Sequence, residues 1–334
     1  MGARFTWPEG FARVPDEDWT REPVQELAEG YDSVEHHGWY ANLDPTVQDL
    51  AAYLEPGEIL LDYSGGTGIL IDRLLTEVGD ASVGVVNVDS SRKFLRLALE
   101  KLGEDERVAF RHIPYIPEEK RVTTLQEALE PVLLERGVEA ISSTNAIHLY
   151  YGLEGTLASW HDVLVPGGRA FVQSGNIGLP EPRPGAWIID DTVRAIAQEA
   201  RHVVAEEDRW ATYRDALSDQ EEMDAYEALL DKYFVPVREL STYEEALEAA
   251  GLEILDVTHR EITAEVDEWY EFLSVYHEGV LGWIGGAQKL TGEPASEQAV
   301  ADRLSIMREA MDRVFDGKES FQAVWTYITC QRPA

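Results

Sequence analysis

Residues 59–70 read Ile59-Leu60-Leu61-Asp62-Tyr63-Ser64-Gly65-Gly66-Thr67-Gly68-Ile69-Leu70. An apolar run, a glycine-rich turn and a second apolar run predict a short buried strand, a tight loop and the start of a helix. Glycine accepts backbone dihedrals that a Cβ forbids, so such a loop can bring its N–H groups close to a ligand. A dinucleotide fingerprint would need G-x-G-x-x-G, with the third glycine making room for helix–strand packing. Gly66-x-Gly68 is followed by Ile71 at that place, so that pattern is not met.

Three more units follow the loop. Residues 81–88 form a second apolar strand that ends in Asp89. An acid about 20 positions past a glycine loop can accept hydrogen bonds from both hydroxyls of a ribose. Asp89 also reads as a helix N-cap, because Phe94, Leu95, Leu97, Ala98 and Leu102 follow it at helical spacing. Residues 139–148 form a further strand with a small, polar exit, Ser142-Ser143-Thr144-Asn145. Residues 164–173 read as a helix end, the turn Pro166-Gly167-Gly168 and another strand.

Asp62-x-Ser64-x-Gly66-x-Gly68 matches acid-x-Gly-x-Gly-x-Gly with one small-for-small replacement. Together with the three later units, across residues 55–178, it resembles the class I, Rossmann-like S-adenosylmethionine (SAM) methyltransferases. The resemblance implies an α/β fold with a seven-stranded sheet of order 3-2-1-4-5-7-6, strand seven antiparallel, carrying N-terminal helices and helical lid insertions. It implies SAM as cofactor, held by Asp62, Ser64, Gly65, Gly66 and Gly68 at the methionyl part. Asp89 and Ser90 would lie at the ribose, Asn145 at the exit of strand four. Tyr31 and Tyr40 would pack against the methionyl carboxylate or the sulfonium. His148, just past strand four, is the expected general base; His36, His37, Trp187 and Tyr276 are the expected acceptor contacts.

The chain departs from the family at two places. Where many members carry an acid for the adenine amino group, this sequence has Pro114-Tyr115 and no acid before Glu118. The exit of strand four lacks the Asn/Asp-Pro-Pro-Tyr of enzymes that methylate DNA bases and glutamines.

The organisation read from the sequence is a helical cap over 1–54, a SAM-binding core over 55–178, a helical lid over 179–240, and completion of the sheet with a second lid over 241–334. In the cap, helices are expected from Glu22 to Tyr31 and after Asp44-Pro45, where proline suits a first turn. Residues 187–234 predict two or three inserted helices. Residues 241–245 suggest a capping box, residues 252–259 strand six, 321–329 strand seven, and 266–284 an aromatic-rich helical stretch.

Composition narrows the function. The 334 residues are 44% hydrophobic, enough for a sizeable core, and no run reaches the ~20 apolar residues of a membrane span. A formal net charge of −35 would repel phosphate backbones and anionic membranes, so neither is an expected partner. Only six of the 28 basic residues are lysines, an acid-rich and lysine-poor balance that suits a salt-rich cytoplasm. One cysteine, Cys330, excludes a disulfide framework and a cysteine cluster. No histidine–carboxylate spacing suggests a metal site. The expectation is a cytoplasmic enzyme that methylates an oxygen or nitrogen of a small molecule. Protein or carbon methylation, aminopropyl transfer, or non-catalytic binding of SAM or its product S-adenosylhomocysteine (SAH) are the alternatives.

Overall fold

The computed structural model describes residues 5–150 and 152–334. Its centre is a sheet of seven long strands: β1 (Ile59–Tyr63), β2 (Gly84–Asp89), β3 (Val108–His112), β4 (Val138–Thr144), β5 (Leu164–Ser174), β6 (Glu253–Glu265) and β7 (Ser320–Gln331). Their spatial order is β3-β2-β1-β4-β5-β7-β6. β1 to β5 are parallel neighbours, and β7 runs antiparallel to both β5 and β6. The order and the reversed strand agree with the family's sheet.

Helices cover both faces, so the central strands are apolar throughout instead of alternating. Every residue of β1 and β2 is buried. One face packs under α1 (Glu26–Asp32), α2 (Asp44–Tyr53), α3 (Ile69–Val78) and α4 (Arg92–Leu102). The other packs under α5 (Leu153–Val163) and α6 (Leu240–Ala249). β6 is the outer strand and is mostly exposed, with charges such as Asp256, Arg260 and Glu261 that discourage edge pairing.

The insertions form a helical body beside the sheet. The long helix Ile189–Glu206 lies along a second long helix, Glu297–Val314, which was not anticipated from sequence. Helix Gln220–Tyr233 joins them, and helix Val266–Val275 follows β6 directly. One apolar cluster runs from the cap residues Trp39 and Tyr40 through Trp269 and Trp325 to Met307 and Met311.

Several local expectations change. The first helix begins at Glu26, after a 3-10 turn over Asp18–Arg21, because the Pro23 segment stays extended ahead of it. The N-cap of α4 is Ser91, whose hydroxyl accepts the Phe94 N–H; Asp89 instead accepts the Ser91 N–H at 2.7 Å. The capping box does not form, since α6 starts at Leu240 without a side-chain cap. Pro166-Gly167-Gly168 is not a separate turn but lies within β5, where the ladder with β4 shifts register.

Candidate active site

The carboxyl ends of β1, β2 and β4 meet where the sheet order reverses, the place at which open α/β sheets bind ligands. The loop between β1 and α3 turns there. Ser64 and Gly66 both have positive φ, 61° and 55°, so Ser64 occupies a left-handed conformation that glycine would adopt freely. Behind the loop, Gly65 has no room: a Cβ there would sit 2.5 Å from Asp62 Oδ2 and 2.6 Å from Asn87 Oδ1. At Gly66 a Cβ would meet nothing within 4 Å, because it would project into open space.

That space is a cleft of about 440 Å³. Tyr31, Ser64, Gly66, Asp89, Ser90 and Asn145 line it, all named above from sequence. A second cavity of about 40 Å³ adjoins it, and Tyr31, Tyr40, Ser64, Gly65, Gly66 and Asn145 line that one. Tyr31, Ser64, Gly66 and Asn145 therefore border both. Residues not foreseen include Tyr63, Phe94, Ile113, Tyr115, Tyr150 and Thr156 on the large cleft, and Leu43, Thr67 and Leu70 on the small one. Tyr150 follows β4 by a few residues and locks the loop from below: its hydroxyl meets Ser143 Oγ at 2.8 Å and Ser64 Oγ at 3.0 Å.

Asp89 is the acid of the cleft. Its Oδ2 accepts the Gly66 N–H at 2.9 Å and its Oδ1 the Ser91 N–H. The Ser90 N–H is a third backbone donor; a carboxylate has about four lone-pair positions, so one remains for a ligand. Burial raises its pKa to about 6, with these backbone donors pulling the other way. Asp62 stands one layer deeper and lines neither cavity. Ser142 Oγ donates to its Oδ1 at 2.7 Å, Oδ2 has no partner, and burial lifts its pKa to about 7.

Asn145, at φ 52°, is tied into the cap. It donates to Asn42 Oδ1 at 3.1 Å and accepts from the Trp325 indole at 2.8 Å. Gln173 donates to the same Asn42 oxygen, and Tyr327 to the Asn42 carbonyl. One buried asparagine of the cap thus spans the exits of β4, β5 and β7. Tyr31 and Tyr40 bring their hydroxyls 3.3 Å apart above the small cavity, and burial raises both pKa values.

Seven expected residues line neither cavity: Asp62, Gly68, where a Cβ would meet Leu102 at 2.6 Å, His36, His37, His148, Trp187 and Tyr276. His148 lines neither cavity; a 3-10 turn over Ile147–Leu149 carries its ring toward β5, where Nδ1 meets Ser174 Oγ at 2.9 Å. Burial and the nearby Arg238 charge drop its pKa to about 3, so it is a neutral packing residue and not a base facing the cleft. His36 is exposed on the cap, and His37 turns to Glu271 at 3.4 Å. Trp187 packs on Phe315 and pairs beside Ala323 of β7, and it lines neither cavity. Tyr276 lines neither cavity, yet its hydroxyl is within electrostatic reach of Tyr31 and Tyr40. No group of three His, Cys, Asp or Glu suited to a metal occurs among the described residues. Cys330 is buried in β7, its thiol pushed up to about 12 by burial.

The topology and the cleft at its switch point define the class I SAM methyltransferase fold. No protein-family model matches the chain, and no curated protein matches it in sequence. In fold, 740 chains of solved structures match it. The YcgJ protein of Bacillus subtilis is 14% identical over 88% of this chain and 99% of that one, with a TM-score of 0.51. The phosphoethanolamine N-methyltransferase 2 of Haemonchus contortus, solved with SAM, is 14% identical over 92% of this chain and 57% of that one, at 0.49. The [4+2]-cyclase SpnF is 17% identical over 87% and 81%, at 0.44. Likeness at these identities is one of fold; reaction and acceptor rest on the site itself.

Proposed function

We propose that the protein is a SAM-dependent methyltransferase acting on nitrogen or oxygen of a small molecule. One observation carries the reading: Gly66 and the Asp89 carboxylate, joined by the Gly66 N–H, line a single cleft at the sheet's switch point, and a Cβ at Gly66 would meet no protein atom within 4 Å. Asp89 would hold the ribose through its remaining acceptor position, with Ser90 beside it. Ser64, Gly65 and Gly66 would seat the methionyl part in the small cavity, closed by Tyr31, Tyr40 and Asn145. Bound there, SAM supplies an electrophilic methyl on a sulfonium, a good leaving group.

The chain's own task is then alignment and exclusion of water. The Asn42–Asn145–Trp325 contacts hold the exit of β4 against the cap, which fixes the floor of the site. Tyr31 and Tyr40 stay protonated at neutral pH, so they act as hydrogen-bonding walls and not as bases. A small acceptor suits the enclosure, and a charge of −35 disfavours nucleic acid.

Isothermal titration with SAM and SAH tests the cofactor, and methyl-labelled SAM incubated with a metabolite extract tests turnover. Tight SAH binding with labelled product supports the reading. Binding without turnover leaves a SAH-binding protein, and no binding removes the proposal.

A further inference from the structure

Two residues that border both cavities have left-handed backbones without being glycine, Ser64 at φ 61° and Asn145 at φ 52°. Asparagine enters that region more readily than most residues, because its short amide bonds locally. Serine has no such ease, and its Cβ crowds the neighbouring carbonyl. Each of the two is held by a partner distant in sequence. For Asn145 the partners are Asn42 and Trp325. For Ser64, which stands at the first glycine of the acid-x-Gly-x-Gly-x-Gly pattern, the partner is Tyr150, 86 positions away.

The Tyr150 hydroxyl donates to Ser64 Oγ at 3.0 Å. A phenol has one proton, so Ser143 Oγ, 2.8 Å away, is the donor to Tyr150. The Tyr63 carbonyl, at 3.5 Å, is too distant to compete for that proton. Both ends of the chain are anchored. Ser143 is fully buried on β4, opposite Val172 of β5. The Tyr150 ring stands edge-on to Tyr63 at 5.5 Å and to Trp160 at 6.2 Å. The turn that Ser64 opens then places four amides: the Ser64 and Gly65 N–H groups donate to the Val88 carbonyl at 2.7 and 3.2 Å, Gly66 to Asp89 Oδ2 at 2.9 Å, and Gly68 to the Gly65 carbonyl at 2.9 Å.

From this we infer that Tyr150 is a positioning residue for the cofactor: through the hydroxyl chain Ser143–Tyr150–Ser64 it holds the loop after β1 in the left-handed turn that glycine would take unaided. What the loop holds rests on the methyltransferase reading above; how the loop is held does not. Residue 64 needs a clamp because it carries a Cβ, and the hydroxyl on that same Cβ supplies the point of attachment. A strained backbone persists only where its surroundings over-determine it, and here one phenol ties the loop to the neighbouring strand of the sheet. Burial raises the Tyr150 pKa well above the ordinary value, so the donated proton stays in place at any working pH. Glycine at position 64 would make the clamp unnecessary, and that dependence separates the hydroxyl's role from the packing of its ring.

The test measures the effect of Tyr150→Phe twice, in the native chain and in a Ser64→Gly chain. Its readouts are SAH titration calorimetry and hydrogen exchange of the 64–68 amides in the unliganded protein. In the native chain Tyr150→Phe should weaken SAH about tenfold and speed exchange of those amides by a similar factor. In the Ser64→Gly chain the same substitution should change either readout by less than about threefold, because the two positions act through one link. Ser64→Gly alone should bind SAH within about threefold of the native chain, whereas Ser64→Ala, which keeps the Cβ and loses the bond, should match Tyr150→Phe. Leaving Ser143 Oγ without its partner lowers the melting temperature in both backgrounds alike. A merely structural role would therefore give equal losses of affinity in the two, and that result overturns the inference, as does a native chain indifferent to Tyr150→Phe. If the native chain binds neither SAM nor SAH, the cofactor reading fails, and hydrogen exchange alone decides whether Tyr150 holds the loop.

Discussion

Asp62 and Asn87 sit side by side across β1 and β2, each with a side-chain oxygen that is buried and unpartnered. The folded protein holds the Asp62 proton up to about pH 7, whereas an unperturbed carboxyl releases it near 3.8. Between those values the native state binds the extra proton, so this group's contribution to stability is present below about pH 4 and is lost as pH rises through 7. Asp62→Asn removes the titration, keeps an acceptor for Ser142, and supplies an N–H to Asn87 Oδ1. Its melting temperature should exceed that of the native protein at pH 8, by about 1–2 °C for each kcal/mol gained in a chain of this length, and the gap should close toward pH 4; a constant gap in a thermal melt series contradicts the assignment. Asp89→Ala is expected to weaken SAM by about 1.5–3 kcal/mol, the loss of charge-assisted hydrogen bonds, as read by titration calorimetry.

At the scale of elements, the loop and the helix after β6 matter most. Gly65→Ala places a methyl against the Asp62 carboxylate and Asn87, so urea unfolding should show a loss of about 1–3 kcal/mol together with weaker SAH binding. Neither of the two insertions expected as lids contributes a residue to the lining of the cleft. Helix Val266–Val275 meets the cap through Trp269 and Phe272 on Trp39, while the Trp187 segment pairs with the far part of β7. Hydrogen exchange in residues 31–43 and 266–276 should slow when SAH and a methyl acceptor bind, with β1, β4 and β5 unchanged. Trp187→Ala should leave both affinities within about twofold; a large loss of acceptor binding would restore Trp187 to the site.

For the molecule as a whole, 63 acids against 28 bases leave an excess that ion pairs cannot neutralise. Arginines are used economically: Arg313 alone contacts Glu199, Glu206, Glu207 and Glu309. The remaining repulsion is long-range and screened within about 10 Å at 0.1 M salt. Raising potassium chloride from 0.1 to about 2 M should increase the melting temperature by several degrees. A flat or falling curve would show that the surface charge does not oppose folding.

The glycine loop, Asp89 and the strand units to β5 were legible in the sequence because each depends on local pattern: apolar runs, turn residues and spacing along one segment; the sheet order and the antiparallel β7 were implied by the family resemblance. The charge balance was legible for the same reason, being a sum over residues. The direction of His148 was not, because a single 3-10 turn rotates it from the cleft toward Ser174. Helix Glu297–Val314 drew no notice in a stretch without a chemical motif, although Ser296 caps it and its buried face meets helix Ile189–Glu206. Nor could spacing along the chain show that Asn42 joins Asn145, Gln173 and Tyr327. Those contacts join residues more than 100 positions apart in nearly every case. Closing such distances is a property of the packed sheet and its helices, so the glycine loop belongs to the sequence and the enclosure built around it to the tertiary structure.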